Sequence, residues 1–86
     1  MIDVKKAVAI ARDYLTELLR DQVGGGQPSL FLEEIELTED QPTRWKVTFS
    51  YSATYPENPV QQRYYKTVDV LAEKGEVRAV KIRVLD

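Results

Sequence analysis

The sequence contains neither cysteine nor histidine. The lack of cysteine excludes a disulfide framework, thiolate nucleophiles and cysteine-based metal sites. The lack of histidine removes the most common general base and the most common metal ligand. Nucleophilic catalysis of the Ser-His or Cys-His type is therefore excluded. We predict a non-enzymatic protein, with no catalytic, cofactor-binding or metal-binding residues.

The sequence has no large excess of positive or negative charge. It also has no long apolar run. The 12 Lys and Arg residues nearly balance the 14 Asp and Glu residues, so no global field would attract nucleic acid or anionic lipid. Arg12, Asp13 and Glu17 interrupt the apolar positions near the N-terminus. A signal peptide needs an unbroken apolar stretch, and a membrane span needs about 20 apolar residues. We expect a cytoplasmic protein, without membrane contact, whose 86 residues form a single domain.

The first part of the chain has the spacing of an amphipathic helix from Asp3 to about Gln22. Asp3 is a suitable N-cap because its side chain can accept from backbone N–H groups of the first turn. Glycines 24–26 are predicted to end the helix. The predicted buried stripe consists of Val4, Ala7, Val8, Ala11, Leu15 and Leu18. The predicted exposed side consists of Arg12, Asp13, Glu17 and Arg20.

The remaining sequence predicts four strands, at about residues 29–38, 43–55, 62–72 and 76–85. In the first strand, the apolar residues occupy alternate positions, but on different parities in different parts of the strand. A bulge near Glu33–Glu34 would place both sets on the same face. Proline residues 56 and 59 are predicted to bracket a loop. Gly75 is predicted to supply positive φ in a hairpin turn. The fold class is therefore α+β, with one N-terminal helix packed on a four-stranded antiparallel meander in the order 1-2-3-4.

The second strand has the clearest alternation. Its predicted core face consists of Trp45, Val47, Phe49, Tyr51, Ala53 and Tyr55. Its predicted solvated face consists of Lys46, Thr48, Ser50, Ser52 and Thr54. This second set is smooth and nearly uncharged, and low charge is a property of interface centres. We predict either an open, wetted face or a surface that binds a protein partner or a second copy of the chain.

In a 1-2-3-4 sheet the first and fourth strands are the edges, and they could also contribute to binding a second copy. The first strand is acidic, whereas the fourth directs Lys81 and Arg83 outward and Arg78 toward the core face. Edges of opposite charge could pair between chains. The candidate interaction surface therefore includes Lys81 and Arg83 as well as the polar residues of the second strand.

Three other hypotheses compete with a binding surface. The acidic run from Glu33 to Asp40 could bind a hard cation, but Glu33 and Glu34 are expected on opposite faces, and a solvated edge is the simpler interpretation. A small enzyme or ligand-binding domain would use carboxylates and tyrosines, with Glu34 or Glu36 beside a tyrosine in a concave site. Nucleic acid could bind the basic C-terminal strand with Tyr64 and Tyr65, although the net charge of −2 opposes it.

The segment from Val68 to Val77, VDVLAEKGEV, resembles the closing hairpin of PepSY domains. An alanine-rich helix before the sheet, here with Ala7, Ala9 and Ala11, is also similar to that family. Leu71 departs from the pattern, since the family usually has an acidic residue there. The resemblance implies a cystatin-like helix-plus-sheet fold and a binding or inhibitory module, often directed against peptidases and usually exported. The helix-then-sheet order, with the strand start Trp45-Lys46-Val47, is also similar to a gas-vesicle accessory family.

Overall fold

The computed structural model of the chain describes residues 1–20, 29–55 and 58–82, without the side chains of residues 54, 55, 58 and 59. One helix precedes four strands. The helix α1 is Val4–Arg20, and the strands are β1 (Phe31–Thr38), β2 (Arg44–Tyr55), β3 (Asn58–Leu71) and β4 (Val77–Ile82). The predicted α-β-β-β-β order is confirmed. The predicted glycine end of the helix and the predicted strand residues 83–85 lie outside the described residues.

The helix begins as predicted, with Asp3 as its N-cap. The backbone N–H of Lys6 donates to Asp3 Oδ1 at 2.9 Å, which satisfies one of the free donors of the first turn. The buried residues of α1 follow a spacing of four: Ala7, Ala11, Leu15 and Leu19.

Two predictions about the helix are wrong. Leu18 and Val4 are exposed, because a stripe with a spacing of four turns slowly around the helix, so that Leu19 faces the sheet near the C-terminal end. Arg12 does not lie on the solvated side. Its guanidinium donates to the carbonyl of Leu30 at 3.1 Å and lies 5.0 Å from the ring centre of Phe49.

The sheet is antiparallel throughout, in the predicted order β1-β2-β3-β4. The helix covers one face of it, and the core lies between the two layers. Val47, Phe49 and Tyr51 from β2 and Val68 and Val70 from β3 are buried there. Trp45 lies at the edge of this core and donates its indole N–H to the carbonyl of Ile2 at 3.2 Å. This contact joins the segment before the helix to the sheet.

The bulge predicted in the first strand is confirmed. The pairing of β1 with β2 shifts between Leu32 and Glu34, so Glu33 is the extra residue. Leu32 pairs with Phe49 and Ile35 with Val47, which places apolar residues from both sides of the bulge on the helix side of the sheet. Phe31 pairs with Ser50 and therefore lies on the other side.

The hairpin from β2 to β3 is longer than predicted. β3 includes Pro59 and pairs as far as Asn58 with Tyr55, so the predicted loop limit at Pro59 is wrong. The other limit, Pro56, lies outside the described residues. A proline at the end of a strand is compatible with pairing because only its own N–H is missing from the ladder.

The turn before β4 has the predicted geometry, with Gly75 at φ 76°. The pairing of β3 with β4 then shifts between Asp69 and Val70, opposite Arg78. Arg78 is the residue without a pair at this irregularity and is exposed, so it does not contribute to the core. In the described part of the chain, the one helix is too short and too polar to cross a bilayer.

Candidate functional site: the polar face of the sheet

The face of the sheet opposite the helix carries most of the polar side chains of the described strands, and we call it the polar face. Cross-strand pairing arranges it in rows. The threonine row runs across all strands as Glu34, Thr48, Thr67 and Lys81. The next row, the lysine–aspartate row, runs as Glu36, Lys46, Asp69 and Ala79.

The centre of the polar face is buried, although no described element covers it. Ser50 is fully buried, and Thr48 and Asp69 are each 3% exposed. The prediction that Thr48 and Ser50 are solvated is therefore wrong. Longer side chains on the neighbouring strands shield Ser50, since Glu33 and Arg63 both bond to its hydroxyl.

Ser50 links Glu33 to Arg63. The hydroxyl of Ser50 donates to Glu33 Oε2 at 2.5 Å and accepts from Nη2 of Arg63 at 2.8 Å. The same nitrogen lies 3.6 Å from Glu33 Oε2, and the guanidinium lies 5.1 Å from the ring centre of Phe31. Ser52 accepts a longer bond of 3.5 Å from Arg63 Nη1. These contacts hold the two charged side chains over the buried serine.

The bulge explains why Glu33 reaches this side. A regular strand would direct Glu33 and Glu34 to opposite faces, as predicted. Because Glu33 is the bulged residue, its carboxylate bonds to Ser50, while Glu34 pairs with Thr48 on the same face. The prediction of opposite faces is therefore wrong.

Asp69 has an unusual environment for a carboxylate. Its side chain is 4% exposed, and it forms an ion pair with Arg44, with Nε 4.0 Å from Oδ2. Asp69 Oδ1 and Arg44 Nε are both buried without a hydrogen-bond partner. Beside Asp69, the hydroxyls of Thr48 and Thr67 lie 2.8 Å apart. A buried carboxylate with one oxygen that receives no hydrogen bond is costly, so a positive charge brought into the space above Asp69 would stabilise it.

A shallow depression of about 370 Å³ lies over the threonine and lysine–aspartate rows. Its lining consists of Glu34, Glu36, Lys46, Thr48, Thr67, Asp69, Lys81 and Ile82. A second depression of about 470 Å³ lies at the end of the sheet, between Met1 and the turns at Gln41–Thr43 and Leu71–Lys74. The charged residues around that second depression are exposed, so it supplies no buried polar group.

Charge is distributed unevenly across the polar face. β1 contributes three acids, Glu33, Glu34 and Glu36, whereas β2 contributes Arg44 and Lys46. β3 contributes Arg63 and Asp69, and β4 contributes Lys81. Negative charge therefore lies on the β1 side and positive charge on the side of the other strands.

The predicted interaction residues divide into two groups. Lys46, Thr48, Ser50 and Ser52 of β2 and Lys81 of β4 lie on the polar face. The side chain of Thr54 and all of Arg83 lie outside the described residues. Sequence reasoning missed Arg63 and Asp69, although the alternation of Arg63, Tyr65, Thr67 and Asp69 along the third strand could have indicated them.

The geometry offers little support for a metal site, an enzyme site or a nucleic-acid surface. Among the described residues, no three acidic side chains are grouped so that they could hold a metal ion. Glu34 and Glu36 line the depression, but no tyrosine is among the residues that line it. Tyr64 stacks on Tyr51 on the helix side, with ring centres 5.7 Å apart, whereas Tyr65 pairs with Ser50 and belongs to the polar face. The two tyrosines therefore do not form one stacking surface for bases.

Pairing through the sheet edges is also disfavoured. β1 carries the bulge at Glu33, and the register shift in β4 lies at Arg78. Bulges interrupt the regular array of N–H and C=O groups that a neighbouring chain would need, and proteins use them to protect edges. The face of the sheet is the better candidate for contact than its edges.

No protein-family model, curated protein or solved structure matches this chain. The resemblance to PepSY domains therefore stays a prediction.

Proposed function

We propose that this protein is a small non-enzymatic interaction module that binds a protein through the polar face. The observation that carries the proposal is the burial of Thr48, Ser50 and Asp69 on a face that no described element covers. Apart from Asp69, short uncharged side chains form its centre, and longer charged ones surround them. Interfaces have a similar arrangement, with charge depleted at the centre and a polar rim.

Pre-organisation supports the same proposal. Ser50 fixes Glu33 and Arg63, and the two threonine hydroxyls bond to each other. Side chains that are already held in one conformation lose little entropy when a partner binds. The depression on the described part of this surface is shallow, which suits a broad contact better than an enclosed small molecule. The resemblance to PepSY domains, which implies a binding module, points in the same direction.

The test is affinity capture from the source cell with a variant that alters only the polar face. In the double variant Lys46→Glu/Lys81→Glu, two cations of the face become acids. The matched control is Lys5→Glu/Lys6→Glu, which makes the same change in charge at two exposed positions of the helix. We expect the natural chain and the control to retain the same protein, and the face variant to lose it. Equal capture by all three proteins would contradict the proposal, as would capture by none combined with a chain that stays monomeric at all concentrations.

A further inference from the structure

The charges of the polar face are arranged so that the face complements a second copy of itself. In the threonine row an acid, Glu34, lies at the β1 end and a cation, Lys81, at the β4 end. In the lysine–aspartate row the two central residues, Lys46 and Asp69, have opposite charges. When either row is reversed end to end and laid on the original, opposite charges meet.

We infer that two copies of this chain pack polar face against polar face, about a two-fold axis parallel to the strands between β2 and β3. This inference rests on the proposed function and names its partner. The axis places β1 of one copy over β4 of the other and β2 over β3. Glu34 then faces Lys81 of the second copy, Lys46 faces Asp69, and Thr48 faces Thr67. Each contact occurs twice because the interface is isologous.

Other arrangements of the same two faces are less favourable. A two-fold axis perpendicular to the strands, in the plane between the sheets, would lay β1 over β1. The acids of β1 would then face one another, and like charges in close apposition oppose association. The strand-parallel axis is therefore the one that the charge distribution selects.

Asp69 gives an independent reason for this pairing. Its Oδ1 is buried without a donor, and it lines the depression together with Lys46 and Lys81. In the proposed dimer, Lys46 of the second copy can bring an ammonium group to this carboxylate. Sheets that pack face to face lie about 10 Å apart, a gap that long lysine side chains can fill. The depression provides room for them.

The size of the surface sets the expected affinity. With four strands about 4.8 Å apart and about eight residues of 3.3 Å each, the face measures roughly 19 Å by 26 Å, or about 500 Å² per copy. This is less than the roughly 800 Å² per partner of a standard interface. We therefore expect a dimer that dissociates in the micromolar range or above, and that weakens with salt because its contacts are electrostatic.

The first experiment measures the self-association of charge variants by analytical ultracentrifugation over micromolar to millimolar concentrations. Glu34→Lys and Lys81→Glu alone each place like charges together at two positions, and we expect each to raise the dimer dissociation constant roughly tenfold. An equimolar mixture of the two variants again has opposite charges at both positions, so association should return. The double variant Glu34→Lys/Lys81→Glu should also associate as the natural chain does, because opposite charges again face each other.

Matched controls place the same changes on the exposed side of the helix, as Asp13→Lys and Lys5→Glu, which should leave the dissociation constant unchanged. Far-ultraviolet circular dichroism checks that each variant is folded. A chain that stays monomeric at all concentrations would overturn the inference. So would a dimer that either single variant leaves intact, or a mixture that does not recover.

The second experiment maps the register directly and uses the absence of native cysteine. Glu34→Cys and Lys81→Cys are prepared as separate variants and treated with a short bifunctional maleimide. The inference expects much more cross-linking in the mixture than in either variant alone, because position 34 faces position 81. Equal yields in all three samples would overturn it.

The two experiments also separate this inference from the proposed function. If the chain is monomeric and the face variant still loses a captured protein, the second copy is excluded, whereas binding through the polar face stands. If a dimer forms but tolerates every change on the polar face, and capture is unaffected as well, both proposals fail.

Discussion

The hydroxyl of Ser50, a fully buried residue of β2, donates to the carboxylate of Glu33 in the neighbouring edge strand at 2.5 Å. This contact depends on the bulge, which turns Glu33 toward the polar face. It also places a carboxylate beside Arg63, whose Nη2 bonds to the same hydroxyl. A small neutral side chain thus organises two charged ones on a surface that the sequence indicates as smooth and nearly uncharged.

Removing this hydroxyl should destabilise the protein. We expect Ser50→Ala to lower the free energy of unfolding by about 1 kcal/mol, because the donor to Glu33 and the acceptor for Arg63 are both lost. The loss is limited since both charged side chains are about two-fifths exposed and can bond to water. Urea denaturation measures it. Ser52→Ala, at an exposed position with only a 3.5 Å contact, should change stability by less than about 0.5 kcal/mol. Equal effects of the two substitutions would contradict the prediction.

The direction of the buried helical stripe can be tested at two adjacent leucines. Leu19 is fully buried, so Leu19→Ala should cost about 2–5 kcal/mol of unfolding free energy. Leu18 is 42% exposed, and Leu18→Ala should cost less than about 1 kcal/mol. Thermal unfolding followed by circular dichroism gives both values. The reverse order would mean that the helix is rotated relative to the sheet.

The turn before β4 should tolerate substitution poorly. Gly75 has a φ of 76°, and a Cβ added there would lie 3.0 Å from Cδ1 of Ile10. We expect Gly75→Ala to cost about 1–2 kcal/mol, mainly because the left-handed region is unfavourable for alanine. Gly75→Asn should cost less, since asparagine adopts this region more readily. Chemical denaturation of the three proteins checks the order. An alanine variant as stable as the natural chain would show that the turn does not need positive φ.

Deletion of Glu33 tests the role of the bulge. Without the extra residue, the segment before it changes face, so Leu30 and Leu32 would turn away from the helix and Phe31 toward it. We expect a loss of about 2 kcal/mol, because Leu30 would leave its contact with the core and the larger Phe31 would have to fit beneath the helix. Trp45 fluorescence during urea unfolding measures this loss. Glu33→Ala is the control, since it keeps the chain length and should cost about 1 kcal/mol. If deletion costs no more than Glu33→Ala, the strand does not require the insertion.

The sequence predicts most of the fold, because the strongest patterns are local. Asp3 as N-cap, the alternation in β2, the bulge near Glu33 and the glycine at position 75 all follow from residue type and spacing, and the structure contains each of them. The order of strands follows because each predicted connection is short enough for an antiparallel neighbour.

The wrong predictions concern side chains whose burial depends on tertiary contacts. Whether Leu18 or Leu19 is buried depends on the angle between helix and sheet, which a helical period alone does not give. Arg12 leaves the solvated side because Leu30 and Phe49 offer it a carbonyl and a ring.

The candidate site is less predictable than the fold. Lys46, Thr48, Ser50 and Ser52 follow from the alternation in one strand. Alternation along the third strand could indicate that Arg63 and Asp69 share one face. Their positions beside Ser50 and Lys46 require the register between strands, because the partner of a residue on a sheet face is set by pairing and not by its own sequence neighbours. The burial of Thr48 and Ser50 depends in turn on those neighbours.

The extra residue in β1 shifts the alternation of apolar and polar positions by one residue in the edge strand. A chain with the same architecture but without this insertion would need unbroken alternation of apolar residues, from the position of Leu30 to that of Leu37. A residue-by-residue alignment of two such chains without a gap would place apolar positions against polar ones on one side of Glu33. Equivalent positions in the two chains match only when a single-residue gap is placed at Glu33.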